Sequence, residues 1–427
     1  MLLAAVVAAV LLTGCGPALA RSGAGSVPAG ASRAGTSGSR SAGPAGTRAS
    51  AGGCAPVTGS SPARAGLWRA ENSCTSQRLY DVACLSALRC EAVGAGGTIV
   101  ATADGGRTWR AQANPLAGTS TPLYAIACVA PASCYVIGRP DTILVTHDGG
   151  ASWSSHVLPV GVSGTDLTDQ GCLPVYAPVA GRAALCRLGL LDISCVSARV
   201  CYAVATAPLG YDDFPLPQAP HPAASSIWLT RDGGASWTAQ PIPPGAACNG
   251  DCTDALYGYP LEWVSCLSSG LCRAGGGNAD GCGFCGSTYA VLVTHGPGQP
   301  WACVRAAAAC AWDSPDAASC PTSTGCYGPE TTDPYATNAV VLRSADGGAD
   351  WTGVGPQWAS SVPNAIACPA ALTCYLAGTR GAIARITNGT TLTAQRTPTR
   401  SDLYGIGCTG PSACYAVGDN GTILALG

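Results

Sequence analysis

An all-β, seven-bladed β-propeller of four-stranded antiparallel blades is the fold predicted by this 427-residue sequence, and three observations predict it. A pair of cysteines separated by five residues recurs seven times, each pair follows a short alternating apolar run, and the final unit stops one strand short of the others. The composition agrees: 57 Gly and 32 Pro against only 11% charged residues favour many short strands joined by turns over long helices.

The chain opens on an apolar run, Met1 to Leu12, of export-signal length and too short for a stable membrane-spanning helix. Leu12-Thr13-Gly14-Cys15 follows and resembles a bacterial lipobox, in which cleavage leaves Cys15 as a lipid-modified N-terminus. Cleavage after Ala18-Leu19-Ala20 is the alternative and would release a soluble protein. Residues 1–20 are therefore read as a signal peptide. Residues 21–66, rich in Gly, Ala, Ser and Arg, are read as a disordered tether, because they lack the apolar side chains to bury a core. Residues 67–427 are read as the propeller. The 25 cysteines point to a compartment where disulfides persist. The expected location is the outer face of a bacterial membrane, anchored through Cys15, or the secreted fraction.

The repeated pairs are Cys84/Cys90, Cys128/Cys134, Cys195/Cys201, Cys266/Cys272, Cys320/Cys326, Cys368/Cys374 and Cys408/Cys414. Runs such as Leu79-Tyr80-Asp81-Val82-Ala83 and Leu403-Tyr404-Gly405-Ile406-Gly407 have the period of a strand. Two residues before each first cysteine stand Val82, Ile126, Ile193, Val264, Ala318, Ile366 and Ile406, which marks the buried face. Each pair is expected to bridge the end of a first strand to the start of a second. A second strand, glycine-rich turns and a third strand such as Thr98-Ile99-Val100 follow.

Four units continue into a second signature: Thr102 to Trp109, Thr146 to Trp153, Thr230 to Trp237 and Ser344 to Trp351, each with an acid at its third position (Asp104, Asp148, Asp232, Asp346). Asp can accept hydrogen bonds from the amides of a tight turn, Gly supplies positive φ, and Trp buries a large ring between sheets. Thr294 to Trp301 keeps the spacing without the acid, and the unit around Thr387-Asn388-Gly389 has lost both Asp and Trp. The missing fourth strand of the last unit is expected from the chain start, where Leu67-Trp68-Arg69-Ala70 echoes Thr108-Trp109-Arg110-Ala111; Trp68 should pair with Thr422-Ile423-Leu424.

Loop lengths separate two faces. The disulfide loops and intact acid-bearing turns are constant and share one face, which reads as scaffold. On the other face, the stretch from second cysteine to turn Ser/Thr holds 11 residues in the first two units but 28, 21 and 17 in the third, fourth and fifth. Eight of the ten further cysteines fall in these insertions: Cys172, Cys186, Cys248, Cys252, Cys282, Cys285, Cys303 and Cys310, with Cys54 and Cys74 elsewhere. They are expected to staple loops. A four-thiolate zinc site at Cys248, Cys252, Cys282 and Cys285 is the alternative. The four His show no ligand spacing, and no metal or cofactor is expected.

From Val204 to Asn338 there are eleven acids against three arginines, in a chain whose net charge is −2. The candidate ligand-binding residues are Tyr211, Asp212, Asp213, Asp251, Asp254, Tyr257, Tyr259, Asp280, Trp312, Glu330 and Asp333. Acids beside aromatics suit a glycan, a cationic peptide or a metal ion, and the same charge disfavours nucleic acid.

The second signature resembles the Asp box of BNR-repeat propellers, a family that includes sialidases, other glycosidases, photosystem II assembly-factor-like proteins and sortilin-type receptors. The resemblance covers Leu67 to Gly427 and implies the fold. It implies no activity, since in sialidases the Asp boxes lie away from the active site. A sialidase would carry an arginine triad on inner strands. Here the position four residues before each first cysteine reads Tyr80, Tyr124, Leu191, Glu262, Asp316, Asn364 and Tyr404. Glu262 and Asp316 could form the carboxylate pair of another glycoside hydrolase, which is the alternative reading. No nucleophile elbow or phosphate-binding glycine loop occurs. The function expected is that of a non-enzymatic, monomeric, extracytoplasmic binding or scaffold propeller for a glycan or protein, its site on the inserted face of blades three to five.

Overall fold

The computed structural model describes residues 66–129, 132–139, 141–159, 189–206, 225–242, 261–278, 288–304, 315–330, 339–356 and 361–427. All lie in the compact unit Ala51–Gly427. The signal, Cys15 and the tether to residue 65 lie outside them.

Seven antiparallel sheets form, one per repeat. Blade one runs Leu79–Ser86, Arg89–Gly94, Thr98–Thr102 and Arg110–Ala111 from inside outward. The inner strands of blades two, three, four, six and seven are Leu123–Val129, Gly189–Ser197, Trp263–Cys266, Pro363–Ala370 and Leu403–Gly410. Blade five departs from the expected four strands. Its regular strands are Cys326–Glu330, Val340–Ser344 and Thr352–Gly353, and its inner segment joins through the bridge between Ser319 and Tyr327. Pro329 explains this in part: it accepts from Asp316 N–H but has no N–H to return, so the ladder is interrupted there.

All seven repeated pairs are disulfides: Cys84–Cys90, Cys128–Cys134, Cys195–Cys201, Cys266–Cys272, Cys320–Cys326, Cys368–Cys374 and Cys408–Cys414, with Cα atoms 4.0 or 4.1 Å apart. Cys84 faces Cys90, Cys195 faces Cys201, Cys266 faces Cys272 and Cys408 faces Cys414 across their hairpins, the close pairing that antiparallel strands offer. The bridges join the first strand to the second as expected, and they also reach into the core. The second cysteine of each pair is a core residue: Cys201, Cys272 and Cys374 are 0% exposed, as are Cys134, Cys326 and Cys414, and Cys90 is nearly so. Cys201 packs with Tyr135 and Trp228, Cys272 with Tyr202 and Trp301, and Cys374 with Tyr327 and Ile386, each within a cluster that joins two blades. The reason is register, since the second strand lies deeper in the sheet than the inner strand whose first cysteine, except Cys320, stays half-buried. These sulfurs therefore fill the seams and are closed to any ligand.

Val82, Ile126, Ile193, Val264 and Ile406 are buried as expected, whereas Ala318 and Ile366 are only half-buried. Blade six replaces the Asp-box turn with Asn388-Gly389, both at positive φ (54° and 73°), between Ile383–Thr387 and Thr391–Gln395. Asn-Gly is the pair that such a tight hairpin needs.

Trp68–Glu71 closes the ring by pairing antiparallel with Ile423–Leu426. Trp68 lies opposite Leu426, so the register runs past the 422–424 segment expected for it. Gly66 N–H adds a 2.8 Å bond to the carbonyl of Gly427.

The apolar core sits in the seams between blades. Leu79, Val100 and Trp109 of blade one pack with Tyr415, Val417 and Ile423 of blade seven. Val93 and Ile99 pack with Leu123, Ile126 and Leu144 of blade two. Gly405 allows the inner strands of blades seven and one to approach, since a Cβ there would stand 2.6 Å from Asp81 Cα.

Candidate ligand-binding face

One face is scaffold. Thr102 Oγ1 donates to Asp104 Oδ1 at 2.9 Å, Thr108 N–H donates to the same oxygen at 2.9 Å, and Thr108 Oγ1 donates to Oδ2 at 2.7 Å. Asp148 and Asp232 repeat this with Ser152 and Ser236. Hydrogen bonds from those serines are the main reason that both carboxylates are drawn down to about 2. Asp346 holds Ser344 and the amides of Ala349 and Asp350. Each of these carboxylates is directed at its own turn. They are structural.

In blades two, four, five and six the residue after the second cysteine hydrogen-bonds to the next blade. Tyr135 donates to the Ala198 carbonyl at 2.7 Å, Tyr375 to Pro411 at 2.6 Å and Tyr327 to Ala371 at 3.3 Å, each acceptor lying in the next blade's disulfide turn. Arg273 plays this part between blades four and five, donating to Ser323 and Gly347. The tyrosines also meet the next blade's tryptophan edge-on: Tyr135 with Trp237, Tyr202 with Trp301, Tyr415 with Trp109.

The opposite face carries the starts of the inner strands. Tyr404, Tyr80 and Tyr124, from blades seven, one and two, stand side by side, with centroids 5.9 Å and 4.7 Å apart. All three are half-buried. The Arg139 guanidinium lies 4.4 Å from the Tyr124 centroid and that of Arg78 lies 5.2 Å from Tyr404. Arg78 Nε pairs with Asp419 Oδ1 at 2.5 Å, and Arg139 Nε donates to the Leu190 carbonyl at 3.2 Å. Each arginine thus spans a blade boundary while lying on an aromatic ring. Tyr404 donates to Asp419 Oδ2 at 3.2 Å; burial first, and then the Asp419 charge, push its phenol well above the usual range.

Continuing around the same position, Leu191 packs beside the core between blades three and four, and Glu262 and Asp316 are half-buried at adjacent blades. Asn364 donates to the Leu403 carbonyl at 2.7 Å. Three of the seven ring positions are aromatic, Leu191 is apolar, and the other three are polar or acidic. Glu330 lies at the end of its strand at 5% exposure, too buried to belong to an open acidic rim. Tyr211, Asp212, Asp213, Asp251, Asp254, Tyr257, Tyr259, Asp280, Trp312 and Asp333 lie outside the described residues. So do the four cysteines of the zinc alternative.

Two inner-strand acids escaped the sequence reading. Asp81 accepts from Val82 N–H at 2.8 Å and, across the seam, from Ile126 N–H at 2.9 Å. Asp192 does the same with Ile193 and Val264, both at 2.8 Å. Burial pushes them up to about 7 and about 6 respectively. Their equivalents in the other blades are uncharged (Ala125, Trp263, Ala317, Ala365, Gly405), so no periodic signal marked them.

These features define a seven-bladed, disulfide-pinned β-propeller with BNR-type repeats. The family profile described as photosynthesis system II assembly factor YCF48 matches residues 61–167. Among solved structures, YCF48 bound to D1 peptide is 17% identical with a TM-score of 0.53, covering 86% of this chain and 98% of that one. YCF48 from Cyanidioschyzon merolae is 16% identical with a TM-score of 0.56, covering 84% and 98%. The WD40 repeats of RRP9 reach a TM-score of 0.54 at 10% identity, covering 86% and 99%. At these identities the likeness is one of fold. No curated protein matches the sequence.

Proposed function

We propose that the chain is a non-enzymatic extracytoplasmic binding propeller for a protein ligand, engaged on the face opposite the disulfide turns and Asp boxes. The observation that carries this reading is the array of Tyr404, Tyr80 and Tyr124 flanked by Arg78 and Arg139. Half-buried tyrosines and arginines are the side chains that most often anchor protein interfaces, because they offer rigid apolar area with a polar edge. The described strands that flank the insertions of blades three to five end on the same face, and the acidic and aromatic residues of those insertions are proposed as part of the surface. That a YCF48 structure holds a D1 peptide favours a protein over a glycan as the ligand. Seven disulfides accord with export, and lipidation at Cys15 would hold the propeller at the membrane surface.

The test is capture of peptides from a displayed library by the intact propeller. Tyr80→Ala with Tyr124→Ala should weaken a selected peptide about tenfold or more while thermal melting stays cooperative. Unchanged affinity would overturn the tyrosine assignment, and loss only on replacing Asp212, Asp213 and Glu262 together would move the site to the loops. A second reading, glycoside hydrolysis, is favoured by Glu262 and Asp316 standing at equivalent positions of adjacent blades. Turnover of chromogenic glycosides that is lost in Glu262→Gln would establish it in place of the first.

A further inference from the structure

The seam between blades one and two is built differently from the seams on either side of it. Where five repeats place Tyr after the second cysteine and one places Arg, blade one places Glu91. At Tyr135, Arg273, Tyr327 and Tyr375 that side chain is a hydrogen-bond donor to the next blade's disulfide turn. A carboxyl group can take the donor's part only while it is protonated. Glu91 is 4% exposed, its Oε2 atom is buried without a hydrogen-bond partner, and its carboxylate lies within 4.8 Å of both sulfurs of Cys128–Cys134.

The edge-on Tyr–Trp contact of neighbouring seams is also replaced. Trp153 Nε1 donates to Gln112 Oε1 at 3.2 Å, and Gln112 Nε2 donates to the Gly149 carbonyl at 3.3 Å. The Gln112 side chain also hydrogen-bonds to the Glu91 carboxyl, so its amide stands between Glu91 and the Asp-box turn of blade two.

We propose that this seam is a pH-operated joint, closed while Glu91 holds its proton and loosened when Glu91 ionises. The charged groups that face Glu91 are Arg89, on its own strand, and Asp148, on the turn of blade two. The first favours the anion, as does the neutral amide of Gln112, and the second opposes it. Asp81 crosses the same seam farther in, toward Ile126, and feels Asp192 of blade three; Gly405, packed against it from blade seven, brings no charge. Burial, the dominant influence, raises Glu91 to about 7, which puts its ionisation in the neutral range.

A loosened seam acts on the ligand face. Tyr80 and Tyr124 meet across this boundary, so separating blades one and two pulls the aromatic pair apart. That last step rests on the proposed ligand-binding role. The joint itself does not.

Ile126 N–H, which donates across the seam to Asp81, is the natural reporter, and Cys368 N–H, which donates to Ser319 Oγ between blades five and six, is the control. Hydrogen exchange is measured on the full chain at about pH 5 and about pH 8 and corrected for intrinsic exchange. Protection at Ile126 should fall about tenfold more than at Cys368. Glu91→Gln, neutral and donor-capable at both pH values, should abolish most of that difference, and Glu91→Tyr should do the same. Equal loss at the two amides in the parent protein, or an unchanged difference in Glu91→Gln, would overturn the joint. Neither result depends on a ligand.

Discussion

Trp68 lies directly opposite Leu426, so the first strand of the propeller is hydrogen-bonded to the last residues of the chain. The indole is 5% exposed and meets Tyr375 edge-on at 6.2 Å, tying blade seven to blade six as well. Because the core is divided among seams, this one strand completes a shared surface. Trp68→Ala should cost about 3–5 kcal/mol, the usual loss for truncating a buried tryptophan. A denaturant midpoint unchanged from the parent would contradict the closing role.

Asp81 presents both oxygens to backbone N–H groups, those of Val82 and Ile126. Asp81→Asn keeps the shape but turns an NH2 toward one of these donors. Destabilisation of about 1–3 kcal/mol is expected, the penalty for leaving a buried donor unpaired. Equilibrium unfolding at a pH where Asp81 is ionised provides the comparison, and a neutral or stabilising effect would contradict the geometry.

Overall stability should peak in mildly acidic solution. Asp81, Glu91 and Asp192 are raised by burial to about 7, about 7 and about 6, so the folded protein binds their protons more tightly than the unfolded chain does. Their contribution is complete below the unfolded values of about 4 and is lost as pH rises toward 7. Asp148 and Asp232, lowered to about 2, work the other way, with stability present above about pH 4 and lost as pH falls toward 2. Thermal melts should therefore give a higher Tm near pH 5 than near pH 8. A Tm that rises between those values would rule out the buried acids as the dominant titrating groups.

Each hairpin disulfide closes a short loop, with a sequence separation of 6, so its removal should cost about 2 kcal/mol. Replacing Cys408 and Cys414 with Ser should lower the unfolding midpoint modestly and leave the ring closed. Loss of the native state on removing this single bridge would show that it holds the fold on its own.

The sequence pointed to the insertions of blades three to five, and the tyrosine array was legible only as a set of inner-strand positions. Counting four residues back from each first cysteine located Tyr80, Tyr124 and Tyr404 on inner strands, but nothing local indicated that they stack or that Arg78 and Arg139 lie over them. Those contacts join residues far apart in the chain, as Arg78 does with Asp419. Glu91 looked like any strand residue until the equivalent positions were seen reaching into neighbouring blades. The cysteine spacing likewise identified the bridges, but that Cys201, Cys272 and Cys374 sit wholly inside the seams depends on the aromatic rings of adjoining strands and blades.

The seven cysteine pairs, the strand period before them and the Asp-box turns are local patterns, fixed by short-range geometry, and the sequence alone determined blade number, disulfide pairing and the fact of closure. What lies between blades was decided only by the tertiary structure: the register of Trp68 on Leu426, the bonds of Asp81 and Asp192 across seams, and the unpartnered oxygen of Glu91. The physical reason is that a blade's faces are completed by its neighbours. The environment of a seam residue therefore depends on side chains that only ring closure brings within reach.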